Sequence, residues 1–119
     1  FYMYKIIFYQ NTNGENEVLN HINYLNQHTN KDNRIKLEKI TAYMRLLQNN
    51  GFALGEPYIK HLCDNLWELR PLRDRILFAY VKDNTFLLLT YFIKKTQKTP
   101  AREIERAKKM LVKYLKEGD

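Results

Sequence analysis

Leu66-Trp67-Glu68-Leu69-Arg70-Pro71-Leu72-Arg73-Asp74-Arg75-Ile76-Leu77-Phe78-Ala79-Tyr80 is the stretch whose reading decides the fold. Two apolar runs flank a tight link holding a proline and charged residues, which is the pattern of an antiparallel hairpin with one buried and one functional face. The period of two along a strand puts Trp67 and Leu69 on one face and leaves Glu68 and Arg70 together on the other. Arg75 begins the return strand, so three arginines and a glutamate converge near one end of a sheet. Guanidiniums grouped in this way suit a phosphate.

Downstream, Arg75 to Val81 runs into Lys82-Asp83-Asn84-Thr85, whose Asp-Asn pair suits a tight hairpin turn. Phe86 to Ile93 is the most apolar run of the chain and reads as a central strand covered on both sides. It ends in Lys94-Lys95-Thr96-Gln97-Lys98. Thr99 then reads as the N-cap of a last helix with Pro100 at its first position, and Ile104, Ala107, Leu111, Tyr114 and Leu115 as its buried stripe.

Upstream, Tyr58 to Leu62 reads as a short strand before a turn at Asp64-Asn65. Tyr2 to Tyr9 is a β-branched and aromatic run, apolar on both faces, which predicts a strand inside the sheet. Between them lie two amphipathic helices. The first carries Val18, Ile22 and Leu25. The second starts near Asp32, shows Leu37, Ile40, Met44 and Leu47 on one face, and stops at Asn49-Asn50-Gly51. Strand, two helices, several antiparallel strands and a last helix make an α+β domain, with a small, mostly antiparallel sheet.

At 119 residues the chain is expected to be one domain, 1–119, with a core that needs no metal or disulfide staple. Cys63 has no second cysteine to pair with, which fits a cytoplasmic protein, and reads as a small buried hydrophobe. No apolar run is long enough to span a bilayer, and the start lacks the pattern of a signal peptide. Phe1 rather than Met opens the sequence. The net charge of +7 points to an anionic partner, and its distribution locates that partner. Residues 1–65 carry seven Lys/Arg against six Asp/Glu, whereas residues 66–119 carry thirteen against seven. The excess travels with the hairpin.

If residues 66–70, 75–81 and 86–93 form neighbouring antiparallel strands, Lys94 and Lys95 return to the same sheet end as Arg70, Arg73 and Arg75. Five cations at one edge repel one another, and Glu68, Asp74 or a bound anion must offset that. The plainer reading is an exposed Arg70–Glu68 pair, which contributes little and implies no function. The lysines of the last helix read as a solvated face, and His21 and His28 as surface positions on the first. His61 lies close in sequence to the hairpin and is a candidate base. Tyr91, just before the lysine pair, stays open as a functional tyrosine. No metal-ligand spacing, glycine-rich phosphate loop or nucleophile elbow is present in the sequence. An enzyme of this composition acting on phosphates would work with cationic side chains and without a cofactor. RNA permits this, because its own 2′-hydroxyl attacks the adjacent phosphate once a base, a charge stabiliser and an acid are in place.

Tyr58-Ile59-Lys60-His61-Leu62, Leu66-Trp67-Glu68-Leu69-Arg70, Arg73-Asp74-Arg75-Ile76-Leu77-Phe78 and Phe92-Ile93-Lys94-Lys95-Thr96-Gln97-Lys98-Thr99-Pro100 closely resemble the HigB-type, phage-derived branch of the RelE toxin superfamily. The likeness covers almost the whole chain. It implies the toxin of a type II toxin–antitoxin pair, a ribosome-dependent endoribonuclease that cuts translated mRNA. It also implies a HigA-type antitoxin with a helix-turn-helix domain as partner. Carried over by position, Arg75 matches the arginine that contacts the scissile phosphate, and Lys95 a second basic position. Glu68 stands where RelE has a lysine. The C-terminal catalytic tyrosine of RelE has no match, the aligned residues being Thr99-Pro100-Ala101, and Tyr91 or His61 would have to substitute.

The leading expectation is a metal-independent mRNA interferase with Arg75, Lys95 and Glu68 as catalytic residues and Arg70, Arg73, Lys94 and Lys98 on RNA phosphates. Tyr91 and His61 are its candidate acid or base. The competing expectations are a non-catalytic nucleic-acid-binding module and a degenerate toxin that only binds its antitoxin. A carboxylate set among the cations favours the first. Membrane binding is not expected, since the last helix lacks bulky aromatics on an exposed face.

Overall fold

The computed structural model describes residues 3–117. Its elements are β1 (Lys5–Phe8), α1 (Glu17–Gln27), α2 (Lys31–Asn50), a 3₁₀ turn (Gly51–Leu54), β2 (Ile59–Cys63), β3 (Leu66–Leu69), β4 (Asp74–Val81), β5 (Thr85–Ile93) and α3 (Ala101–Lys116). The five strands form one sheet in the order β1-β5-β4-β3-β2. The pairs β2–β3, β3–β4 and β4–β5 are antiparallel, and β1 joins β5 in parallel. This is the expected α+β architecture, with α1 and α2 on one face of the sheet and α3 on the other.

Alternation along the strands decides what each face buries. Ile76 and Phe78 of β4, Phe86 and Leu88 of β5 and Leu69 of β3 meet Val18, Leu25, Ile40 and Leu47 from α1 and α2. Leu77, Ala79, Leu87, Leu89 and Leu66 turn the other way and meet Ala107, with Ile104 and Leu111 of α3 packed around them. Phe86 is the hub of the first layer, with the rings of Tyr4, Phe52, Phe78 and Tyr80 at centroid distances of 5.2, 5.3, 5.4 and 5.5 Å. β4 and β5 are covered on both faces, which is why they read as unbroken apolar runs.

The helix starts follow local chemistry. The side-chain oxygens of Asn16 and Asn30 accept from the backbone N–H of Leu19 and Asn33, capping α1 and α2. Gly51 closes α2 at φ 58°, and a Cβ there would stand 2.5 Å from the Tyr4 ring. Asp83 and Asn84, with φ of 64° and 54°, make the β4–β5 turn that their sequence promised.

Several expectations are corrected. The first strand spans Lys5–Phe8 and lies at the edge of the sheet, not inside it; Tyr2 falls outside the described residues. Its side chains are apolar on both sides because Ile6 and Phe8 pack into one core layer and Ile7 into the other, so two-sided cover does not require two neighbouring strands. Thr99 does not cap α3. Pro100 holds that position without a side-chain bond, and the Thr99 hydroxyl is engaged elsewhere. Leu115 is 60% exposed, outside the helix's buried stripe. His21, read as a surface position, is half-buried, with its Nε2 shielded from water.

Candidate functional site

β3 and β4 are joined by Arg70–Arg73, and this link is held open by its backbone. Leu72 has φ 58°, a left-handed conformation unusual for a residue with a bulky side chain. The N–H of Asp74 donates to the Pro71 carbonyl (3.0 Å), and the N–H of Lys94 to the Arg73 carbonyl (2.8 Å), so the start of the 94–100 loop is tied to the link. Arg73 adds a bond from Nη2 to the Lys94 carbonyl (3.2 Å).

On the α3 face of this junction, Glu68, Arg70, Arg75, Phe92, Lys94, Lys98 and Thr99 line one cleft. Glu68 is 3% exposed, although it is a carboxylate. One of its oxygens lies 3.4 Å from Arg70 Nε and 4.0 Å from Arg75 Nε, and the other accepts a 2.7 Å bond from the Thr99 hydroxyl. The Arg70 contact is close enough to be an ion pair but misaligned for a hydrogen bond, leaving Arg70 Nε buried without one. Arg75 is 6% exposed, and its Nη1 donates to the carbonyls of Leu72 and Asp74, both at 2.8 Å. Burial lowers the Arg75 pKa, and the Arg70 and Arg73 charges act in the same direction, while Glu68 and Asp74 oppose them. With Nη1 committed to the link and Nε turned to Glu68, Nη2 remains to face an anion. The cleft encloses only about 10 Å³, room for a single water and too little for a phosphate with the lining side chains as they stand. It shares Phe92, Thr96, Lys98 and Thr99 with an open groove of about 810 Å³ that runs past Lys95 and Arg102.

The structure therefore brings together Glu68, Arg70, Arg75, Lys94 and Lys98. It sets Arg73 and Lys95 apart from the cleft, Arg73 in a depression beside Lys36 and Leu72, and Lys95 in the groove. The remaining two residues lie across the sheet. The His61 ring lies tilted against Trp67 (4.6 Å between centroids, planes 53° apart), and its Nε2 bonds the Asp64 carbonyl at 2.7 Å. Tyr91 pairs with Ile76, on the α1 and α2 face, and its hydroxyl donates to Asp74 Oδ1 at 2.8 Å. Burial raises the Tyr91 pKa, and its bond to Asp74 raises it further. One-residue alternation explains the separation: Arg75 and Phe92 point to α3, whereas their neighbours Asp74 and Tyr91 point away.

Two features escaped sequence reading. Thr99 carried the signal of a cap, and only the fold brings its hydroxyl to Glu68, 31 residues away. The second is a link between α1 and α3. Glu17 accepts from the Tyr91 N–H (2.8 Å) and pairs with Arg106, which also bonds Glu103 at 2.6 Å. Burial works against the Arg106 charge, yet the bonds to Glu17 and Glu103 carry its pKa above the ordinary value. This clamp caps β5 beyond Leu88, where its pairing with β1 ends.

Residues 17–112 match the family model for phage-derived Gp49-like proteins (DUF891), a span from the start of α1 into α3 that takes in the whole cleft. The chain belongs to the Gp49-like family. This is a RelE-like family associated with toxin–antitoxin systems. A comparison with curated proteins finds no match for this Gp49-like chain. No helix among its described residues is long and apolar enough to cross a membrane.

Proposed function

We propose that this Gp49-like protein is the HigB-type toxin of a type II toxin–antitoxin pair, a metal-independent, ribosome-dependent endoribonuclease that cuts translated mRNA. The observation that carries the reading is a single carboxylate, Glu68, set among Arg70, Arg75, Lys94 and Lys98 in one cleft. A site built only to hold a nucleic-acid backbone has no use for a negative charge there.

In the proposed reaction, Glu68 takes the proton from a 2′-hydroxyl, whose oxygen bonds the adjacent phosphorus while the bond to the 5′-oxygen breaks. The products are a 2′,3′-cyclic phosphate and a 5′-hydroxyl, the latter protonated by Lys94 or Lys98. Arg75 and Arg70 hold the charge that builds on the phosphoryl oxygens, a contribution of about 10²–10³ in rate per donor. The 810 Å³ groove carries the RNA strand toward the cleft, with Lys95 and Arg102 on its phosphates. Arg73 supports the backbone from the far side of the link. His61 and Tyr91 have no role as acid or base here, since neither lines the cleft. The ribosome supplies the mRNA, which places the activity in the cytoplasm, and a HigA-type helix-turn-helix antitoxin is the proposed partner.

Primer extension on a cellular transcript after brief induction tests this, beside Arg75→Ala and with translation running or blocked. Cuts inside the reading frame that need both Arg75 and translation are expected; no new ends from a folded, expressed protein would refute the proposal. The burial of Glu68, with both oxygens engaged, favours a second reading, in which the carboxylate only neutralises the arginines of a non-catalytic RNA binder. Glu68→Gln separates the two. Loss of a general base lowers cleavage by about 10²–10⁴, whereas a binder would gain RNA affinity.

A further inference from the structure

We propose that Asp74, Tyr91 and His21 form a positioning network that aims Arg75 into the cleft from the opposite face of the sheet. The inference rests on the role given to Arg75 above. Asp74 is 1% exposed, and the partners of its carboxylate are few. Oδ1 accepts from the Tyr91 hydroxyl at 2.8 Å and lies 3.9 Å from Lys36 Nζ, while Oδ2 is buried with no partner. His21 stacks on the Tyr91 ring at 3.5 Å with the planes 19° apart, and its buried Nε2 also lacks a partner.

A buried carboxylate with an orphan oxygen opposes folding. Packing does not explain its presence, but its neighbour does. Asp74 immediately precedes Arg75, and the Asp74 carbonyl is one of the two that accept from Arg75 Nη1. The other belongs to Leu72, whose left-handed backbone is held in the same link. Anchoring the Asp74 side chain on one face fixes the peptide plane that grips the guanidinium on the other. Tyr91 supplies the anchor, and His21 locks the Tyr91 ring against rotation. Nη1 is thereby occupied, Nε faces Glu68, and Nη2 is the donor left for a phosphate.

The test measures single-turnover cleavage of mRNA on programmed ribosomes, together with melting temperatures. Tyr91→Phe is expected to lower the maximal rate at least about tenfold and change KM less than twofold, with a similar loss in Asp74→Ala. Asp74→Asn keeps an oxygen for the Tyr91 hydroxyl and is expected to stay within about threefold of wild type. In an Arg75→Lys background, Tyr91→Phe should cost nothing further, since a residue acting through Arg75 has nothing left to aim. A Tyr91→Phe rate within twofold of wild type, or the same fold-loss in both backgrounds, would overturn the network. Should Tyr91→Phe fail to fold, His21→Ala removes the stacking contact and is read by the same criteria. If wild type cuts no RNA, the enzymatic reading fails by itself, and the grip is read by NMR. Two separate Arg75 Nη resonances that merge in Tyr91→Phe would support the network; resonances unchanged by the substitution would overturn it.

Discussion

Glu68→Ala is the perturbation that asks most of the site. Glu68 is buried and faces two guanidiniums, with Arg70 retaining 23% side-chain exposure and Arg75 7%. Removing one partner of a buried pair costs about 3–5 kcal/mol, because the remaining charge is left uncompensated. Here Arg70 reaches water and Arg75 keeps its two carbonyl bonds, so the expected loss is reduced to about 2–3 kcal/mol. At about 2.1 cal/mol/K per residue, the 119-residue chain has an unfolding entropy near 250 cal/mol/K, and the midpoint should fall by about 10 °C.

The same vacancy should accept an external anion. If inorganic phosphate binds the variant with a Kd of about 1 mM, then 10 mM contributes about 1.4 kcal/mol, which restores roughly half of the lost stability. Wild type should respond less, since Glu68 already faces Nε of both arginines. The assay is thermal denaturation of both proteins with phosphate, against sodium chloride at matched ionic strength. The reasoning is refuted if Glu68→Ala melts within about 2 °C of wild type, or if phosphate raises both proteins equally. Glu68→Gln should fall between the two, because it removes the charge but keeps an oxygen for the Thr99 hydroxyl.

Other outcomes follow from the packing and the titrating groups. Phe86→Ala removes the hub of four aromatic contacts and should cost about 3–5 kcal/mol in urea denaturation. Gly51→Ala places a Cβ 2.5 Å from the Tyr4 ring at φ 58° and ψ −144°, a backbone region kept almost wholly to glycine, and should cost more than the roughly 1–3 kcal/mol of that strain alone. Burial lowers the His21 pKa below 6.5, with the Lys36 charge acting the same way and Asp74 against it. The unfolded chain therefore takes the proton first as the solution is acidified. The His21 contribution is flat above about pH 7, falls as pH drops below 6.5, and levels off under the folded pKa. His21→Phe should flatten that part of a melting-temperature profile measured across the same range.

What the sequence disclosed and what it withheld divide along the range of the interactions. The β3–β4–β5 order, the turn at Asp83-Asn84 and the extents of α1 and α2 follow from periodicity and caps, which act over a few residues. The gathering of Arg70, Arg75 and Lys94 was legible because antiparallel pairing maps sequence onto distance almost directly. Which face each side chain takes was harder to read, since a shift of one residue reverses it. Lys95 was grouped with Lys94 as a neighbour in sequence, but beyond Ile93 the strand has ended and its alternation no longer applies.

Thr99 shows how a local rule yields to a distant charge. Its sequence context is that of a cap, worth about 1 kcal/mol through one neutral-acceptor bond to a backbone N–H. A hydroxyl donating to a carboxylate gains about 1.5–3 kcal/mol, and more is at stake when that carboxylate is buried and would otherwise lack a donor. The fold brings the Glu68 carboxylate within reach, and the stronger bond wins. The start of α3 is left without a side-chain cap, and the 94–100 loop is drawn against the cleft. Asp74 follows the same logic in reverse. It stands between Arg73 and Arg75 in sequence and looks like their counter-ion, yet alternation sends its side chain through the sheet to Tyr91, and only its carbonyl stays with Arg75. The residue that sequence would pair with the cations by charge is bonded to them by its backbone, so it shapes the cleft by geometry as well as by the charge it sets near Arg75.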